Sequence, residues 1–283
     1  MSDGRGGTED SQYKFCCSAN VSMLFTEVPM LERPGVARAA GFEFVESWWP
    51  FDCAVPKGSE VDRFVGAVEK AGVHLVSLNF FAGDLAGSDC GLLSLPGGGE
   101  EFLANVSVVA WIGARLGVKK FNALYGNRVD ALSALEQDEI AVERLEVAAR
   151  AVGEFGGAVL LEPISGPKPY PLRTAANVVE VIEKMRSRGT DNVEMLCDIY
   201  HLVMNGDDIS ATLQSFGYAV GHVQLADVPG RGEPGSGSLA ISTYLEEFRR
   251  VGYKGAVGLE YKPRGSTLES LGFLDEWKRL GYV

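Results

Sequence analysis

The sequence predicts an α/β chain closed as a single (β/α)8 TIM barrel. Three observations carry that prediction. Short apolar runs alternate with helical segments from Phe15 to the C-terminus. Glycine stands just past the helical segments, at Gly41, Gly72, Gly117, Gly156, Gly189, Gly217 and Gly252, where a helix commonly ends in positive φ. The segments after strands are long and those after helices are only a few residues. That is the asymmetry of a barrel whose active face is built from the loops that follow its strands.

The elements follow in order. Residues 1–12 are polar and glycine-rich without periodicity and read as a disordered leader, leaving 13–283 as the catalytic domain. The apolar run Phe15–Leu24 is the first strand, with Asn20 and Ser22 near its end. Helix Met30–Ala40 precedes strand Phe42–Glu46 and the loop Ser47–Gly58. Helix Ser59–Ala71, with Ser59 as a candidate N-cap, leads to strand Val73–Asn79 and the long loop Phe80–Gly99. Then come helix Glu100–Leu116, strand Val118–Asn122, helix Leu135–Phe155 and strand Gly157–Glu162. The loop Pro163–Leu172 precedes helix Arg173–Arg188, strand Val193–Asp198, helix Asp208–Phe216 and strand Ala219–Leu225. The loop Ala226–Ala240, helix Ile241–Val251, strand Gly255–Glu260 and helix Thr267–Leu280 close the chain. The strands are nearly continuous apolar runs, such as Val159-Leu160-Leu161, as parallel strands buried on both faces require. An open doubly wound sheet is the competing closure. The number of βα units and the lack of a glycine-rich nucleotide fingerprint favour the barrel.

Composition narrows the function. The 283 residues are 46% hydrophobic and 23% charged, ordinary for a globular chain. A net charge of −12 repels a phosphate backbone and argues against nucleic acid as partner. The five cysteines show no metal-ligand spacing and no signal peptide precedes them, so reduced thiols in a cytoplasmic protein are expected. No apolar run approaches the roughly 18 residues of a membrane span.

Four strands end in a polar residue on the working face: Glu162, Asp198, Gln224 and Glu260. Charge is costly there unless paired or bound to metal. If the ends converge, three carboxylates repel one another and a divalent cation removes the conflict. Oxygen donors suit Mg²⁺ or Mn²⁺ better than zinc. The alternative is four solvated strand ends. His201, three residues after Asp198, is a candidate to hydrogen-bond a substrate oxygen, or equally a structural histidine. Arg231, in the glycine-rich loop after Gln224, suits a carboxylate, and Lys262 is a similar candidate. Glu46 and Asn79 end their own strands and are candidates to line the site. Trp48, Trp49 and Phe51 are placed to wall it. His222 is expected to be a core or supporting group.

The set Leu161-Glu162-Pro163-Ile164, Asp198-Ile199-Tyr200-His201, His222 to Pro234 (HVQLADVPGRGEP) and Gly258-Leu259-Glu260-Tyr261-Lys262-Pro263 resembles the hydroxypyruvate isomerase family, within the xylose isomerase-like TIM barrels. The resemblance spans nearly the whole chain after the leader. It implies that Glu162, Asp198, Gln224 and Glu260 are metal ligands, that Glu162 and Glu260 form the acid/base pair, and that His201 and Arg231 bind substrate. The implied reaction moves one hydrogen between adjacent carbons of a small hydroxy- or oxo-acid through a cis-enediolate, hydroxypyruvate to tartronate semialdehyde, a hydride shift being the other route. No membrane and no nucleic acid enter, and the oligomeric state is open, a homo-oligomer included. The long leader and Trp48-Trp49 depart from the family pattern and leave substrate size open. Four rival readings stand. A 2-oxo-tetronate isomerase would use the same residues. A ketose 3-epimerase needs a larger pocket. A zinc phosphodiesterase like endonuclease IV needs many His, against three here. A sugar-acid binding module would not need two facing glutamates.

Overall fold

The structure is a computed structural model that describes residues 13–85, 87–166 and 169–283. The predicted leader, 1–12, lies outside the described residues. Eight parallel strands hydrogen-bond in chain order and close into a barrel. They are β1 (Cys17–Asn20), β2 (Phe44–Ser47), β3 (His74–Asn79), β4 (Lys120–Asn122), β5 (Ala158–Leu161), β6 (Val193–Asp198), β7 (Val220–Leu225) and β8 (Val257–Leu259). Closure is made by β1 on β8, with Cys17, Ser18 and Ala19 opposite Val257, Gly258 and Leu259. The helices are α1 (Arg33–Ala39), α2 (Gly58–Ala71), α3 (Gly99–Leu116), α4 (Ala134–Gly153), α5 (Ala175–Ser187), α6 (Ile199–Asn205), α7 (Ile209–Phe216), α8 (Ile241–Arg250), α9 (Thr267–Ser270) and α10 (Phe273–Arg279). Among the described residues no helix is long and apolar enough to cross a membrane.

The core lies between strands and helices, where Val45, Leu75, Phe121, Val159, Val193 and Leu259 are buried against helix residues such as Val65, Val109, Leu145 and Ile182. Each buried side chain of this size contributes roughly 1.5–3 kcal/mol. Helix starts are capped as their sequences dictate. Ser133 and Glu136 close a capping box at α4, Thr174 and Asn177 at α5, and Ser266 and Glu269 at α9.

The structure refines the sequence reading at three places. The segment between the predicted strand Val193–Asp198 and the predicted helix Asp208–Phe216 holds a further helix, α6, and Asp198 caps it by accepting the His201 backbone N–H at 3.1 Å. The predicted helix Thr267–Leu280 divides into α9 and α10 around Leu271 and Gly272. Gly217 does not adopt positive φ, unlike Gly41, Gly72, Gly117, Gly156, Gly189 and Gly252. Its φ is −52°, and a Cβ there would stand 3.2 Å from the Val251 side chain, a tight contact.

Candidate active site

Strand register gathers the polar ends. Asp198 pairs with Gln224, Gln224 with Gly258 and Gly258 with Ser18, so one lateral row crosses β6, β7, β8 and β1. Glu162 and Glu260 follow directly on β5 and β8. The four predicted ligands are between 1% and 6% exposed. Solvated strand ends would not be buried this way, so the polar groups face the barrel mouth.

Glu162 Oε2 accepts the Asn122 amide at 2.6 Å. Its Oε1 lies 3.9 Å from His201 Nε2, which is 3.8 Å from Asp198 Oδ2. One ligating atom from each of Glu162, Asp198 and His201 falls within a 4.8 Å cluster. Distance alone would make His201 a ligand, but its protonation decides otherwise. The backbone N–H of Ser165 donates to His201 Nδ1 at 3.0 Å. Nδ1 is therefore the lone-pair nitrogen, and Nε2 carries the proton of the neutral ring. Burial, with the Arg231 charge beside it, pushes the His201 pKa down to about 3. The ring thus presents a neutral N–H donor to the site.

Glu260 is held by three donors. Trp48 Nε1 and Asn20 Nδ2 donate to Oε1 at 2.5 and 3.0 Å, and Arg231 bonds Oε2. The Arg231 guanidinium also lies 3.7 Å from Asp198 Oδ2 and packs over the Tyr200 ring, 5.4 Å from its centroid. Its backbone sits at φ 55° in a loop folded around one carboxylate. Asp227 accepts the N–H groups of Val228, Gly235, Gly237 and Leu239 at 2.8–3.0 Å. Thus a buried aspartate, which the sequence did not single out, sets the path that delivers Arg231.

The remaining candidates separate. Glu46, 1% exposed, lies inward of Gln224 and is bonded to Ser18, Asn20, His222 and Gln224. Asn79 is buried at the end of β3, paired in register with Asn122. Lys262 has an exposed side chain, and its backbone N–H donates to Arg231 O at 2.7 Å. Trp49 and Phe51 stack edge-on at 5.0 Å in the loop after β2. Sequence reading passed over Asn122 and Ser165. Asn122 ends its strand as the four candidates do and was within reach of the same logic. Ser165 carries no signal, because it acts through its backbone.

The electrostatics favour a cation. Burial raises the Glu162 carboxyl well above its ordinary range, and Glu260 and Asp198 raise it further. Burial pushes Glu260 up to about 7, with Arg231 opposing and Asp198 and Glu46 adding to the rise. Burial also raises Asp198, against Arg231 and the His201 backbone bond. Among the described residues, Asp198 Oδ2 and Gln224 Oε1 are buried without a hydrogen-bond partner. Unpartnered buried oxygens are rare and costly. Three crowded carboxylates and an amide oxygen are donors of the type that suits a hard divalent cation.

Fold and site together define a (β/α)8 barrel with buried oxygen donors at the carboxyl ends of its strands. The family described as xylose isomerase-like TIM barrel matches residues 35–277. The chain belongs to that family and, within it, to the hydroxypyruvate isomerases. It is 47% identical over 251 residues to a Streptomyces coelicolor protein carrying the name "Putative hydroxypyruvate isomerase", covering 87% of this chain and 90% of that one. It is 30% identical to the hydroxypyruvate isomerase of Escherichia coli, covering 92% of this chain and 98% of that one. Among solved structures, a family 2 AP endonuclease from Brucella melitensis superposes with a TM-score of 0.83 at 29% identity, covering 93% of this chain and 99% of that one.

Proposed function

We propose that this chain is a divalent-cation-dependent isomerase of small sugar acids that interconverts hydroxypyruvate and tartronate semialdehyde. The observation that carries the reading is the convergence of Glu162, Asp198 and Glu260 with the unpartnered Gln224 oxygen in a buried site. These four residues would hold Mg²⁺ or Mn²⁺. The ion would polarise the substrate carbonyl and so acidify the neighbouring C–H.

The chain's own groups do the rest. Glu162 follows β5 and Glu260 follows β8, three strands apart around the closed barrel. Two carboxylates so placed serve two adjacent carbons. One takes the proton from the hydroxyl-bearing carbon, giving a cis-enediolate. The other delivers a proton to the former carbonyl carbon, and the hydroxyl proton passes to the adjacent oxygen. A raised carboxyl pKa brings such groups nearer to the operating pH. Arg231 holds the substrate carboxylate through its planar fork. The His201 Nε2–H donates to a substrate oxygen. Trp48 and Asn20 keep Glu260 in place. Lys262 and Asn79 are peripheral substrate contacts in this reading. The net charge of −12 makes nucleic acid a poor partner, and five free thiols fit a cytoplasmic setting.

A 2-oxo-tetronate isomerase is the second reading, because such an enzyme from Haemophilus influenzae is 28% identical over 92% of this chain. It needs the same residues and one more carbon of space. Turnover of hydroxypyruvate and of 2-oxo-tetronates, measured side by side with metal-stripped protein resupplied with Mg²⁺ or Mn²⁺, separates the two. Cation-dependent isomerisation of hydroxypyruvate is expected. Turnover of the longer acid alone selects the second reading, and silence on both overturns the proposal.

A further inference from the structure

The Glu46 carboxylate receives four donors and touches none of the open face. Ser18 Oγ and His222 Nε2 reach Oε2 at 3.1 and 2.7 Å, and the Asn20 and Gln224 amides reach Oε1 at 3.1 and 2.7 Å. The Asn20 amide is oriented independently, because its Oδ1 accepts the Ser22 backbone N–H at 3.0 Å. Gln224 has no such second anchor: its Oε1 is buried without a partner among the described residues. An amide can present either end to a neighbour. Turned the other way, Gln224 would set its oxygen against the Glu46 oxygen and its NH₂ toward the Asp198 side of the site. A carboxylate inward of it excludes that orientation.

Space for this arrangement comes from β8. Gly258 lies between Gln224 and Ser18 in the lateral row of the barrel. A Cβ there would stand 2.4 Å from Glu46 Oε2 and 2.7 Å from Oε1, closer than real contacts allow. The missing side chain is the seat of the carboxylate.

We propose that Glu46 is a positioning residue. It turns the Gln224 amide so that oxygen rather than nitrogen faces the cation site, and Gly258 makes the room for it. The inference rests on Gln224 being a cation ligand, as read above, and reassigns Glu46 from substrate contact to ligand orientation. It also accounts for glutamine at position 224. A glutamate there would set a second carboxylate against Glu46, like charge against like, where the amide donates a hydrogen bond.

The test is Mn²⁺ binding to the full chain, followed by loss of the free-ion EPR signal, with circular dichroism to confirm folding. Glu46→Asp withdraws the carboxylate by one methylene, and Gly258→Ala pushes it from the other side, so either variant decides if the other fails to fold. Each should weaken the Mn²⁺ dissociation constant about 10–100-fold, the usual effect of losing a ligand's supporting partner. In a Gln224→Met background, where no ligand oxygen remains to be turned, the same substitutions should change it by less than about 2-fold. Unchanged affinity in the Gln224 background, or an equal loss in both backgrounds, would overturn the proposal. Failure of the unaltered chain to bind Mn²⁺ is a different result: it removes the cation site itself, and the proposal with it.

Discussion

The Ser165 backbone N–H donates to His201 Nδ1 at 3.0 Å, and this one bond decides what His201 offers the site. With Nδ1 accepting, Nε2–H points at the cluster of Glu162 and Asp198, 3.9 and 3.8 Å away. A ring nitrogen bearing hydrogen cannot ligate a cation, but it can donate to substrate.

That assignment predicts a specific kinetic signature. His201→Gln should lower kcat/KM by about 10–100-fold, the worth of one hydrogen bond to a charged partner, mainly through KM. Because burial holds the ring's pKa at about 3, His201 stays neutral from pH 5 to 9. The pH–rate profile of the variant should therefore keep both limbs of the parent profile. Loss of a limb would show that His201 titrates in the working range.

Replacing the candidate acid/base groups by amides should separate chemistry from binding. Glu162→Gln and Glu260→Gln should each lower kcat by about 10²–10⁴-fold. Glu162→Gln should also raise the melting temperature of the metal-free chain by a few degrees, since it removes one of three crowded buried carboxylates. A variant that is inactive and less stable than the parent would mean that Glu162 is structural.

The raised carboxyls also predict how stability varies with pH. A carboxyl whose folded pKa lies above its unfolded value holds a proton in the folded chain that the unfolded chain has released. Stability then falls as pH rises from about 4.5 through the folded value, about 7 for Glu260. A bound cation replaces that proton. Added Mn²⁺ should thus raise the melting temperature more at pH 8 than at pH 5.5, and Glu260→Gln should shrink the difference. Thermal melts at the two pH values check this; an equal increment at both would count against the carboxylate cluster as the binding site.

Asp227 supports Arg231 through the backbone alone. Four N–H groups converge on its two oxygens. Asp227→Asn turns an NH₂ toward some of them and should cost about 1–3 kcal/mol of stability. It should also speed proteolysis within 228–239 and raise KM with a smaller change in kcat. Arg231→Lys should raise KM without loosening the loop, because only the planar fork is lost. Equal protease sensitivity in the two variants would contradict this division of roles.

Much of this was legible in the residues. The run of apolar strands and glycine-ended helices determined the barrel, because each unit buries both strand faces and each turn repeats the same chemistry. The strand-end acids at 162, 198 and 260 and the amide at 224 stood out because polar groups at the end of buried strands need a reason. Asn122 met the same criterion three residues into a short strand and went unremarked. Glu46 was legible as a strand end but not as to depth. Its strand shifts register between Val45 and Glu46, so sequence position does not reveal that the carboxylate settles inward against Gly258.

The sequence by itself thus determined the barrel, its working face and the oxygen-rich donor set, since period and residue type are local properties. Only the tertiary structure decided the register that sets Asp198, Gln224, Gly258 and Ser18 in one row, the tautomer of His201, the Asp227-centred loop that delivers Arg231, and the Glu46 carboxylate beneath Gln224. Each of these depends on bonds between residues far apart in the chain or on a backbone N–H that every residue type except proline carries, and neither leaves a mark in the order of side chains.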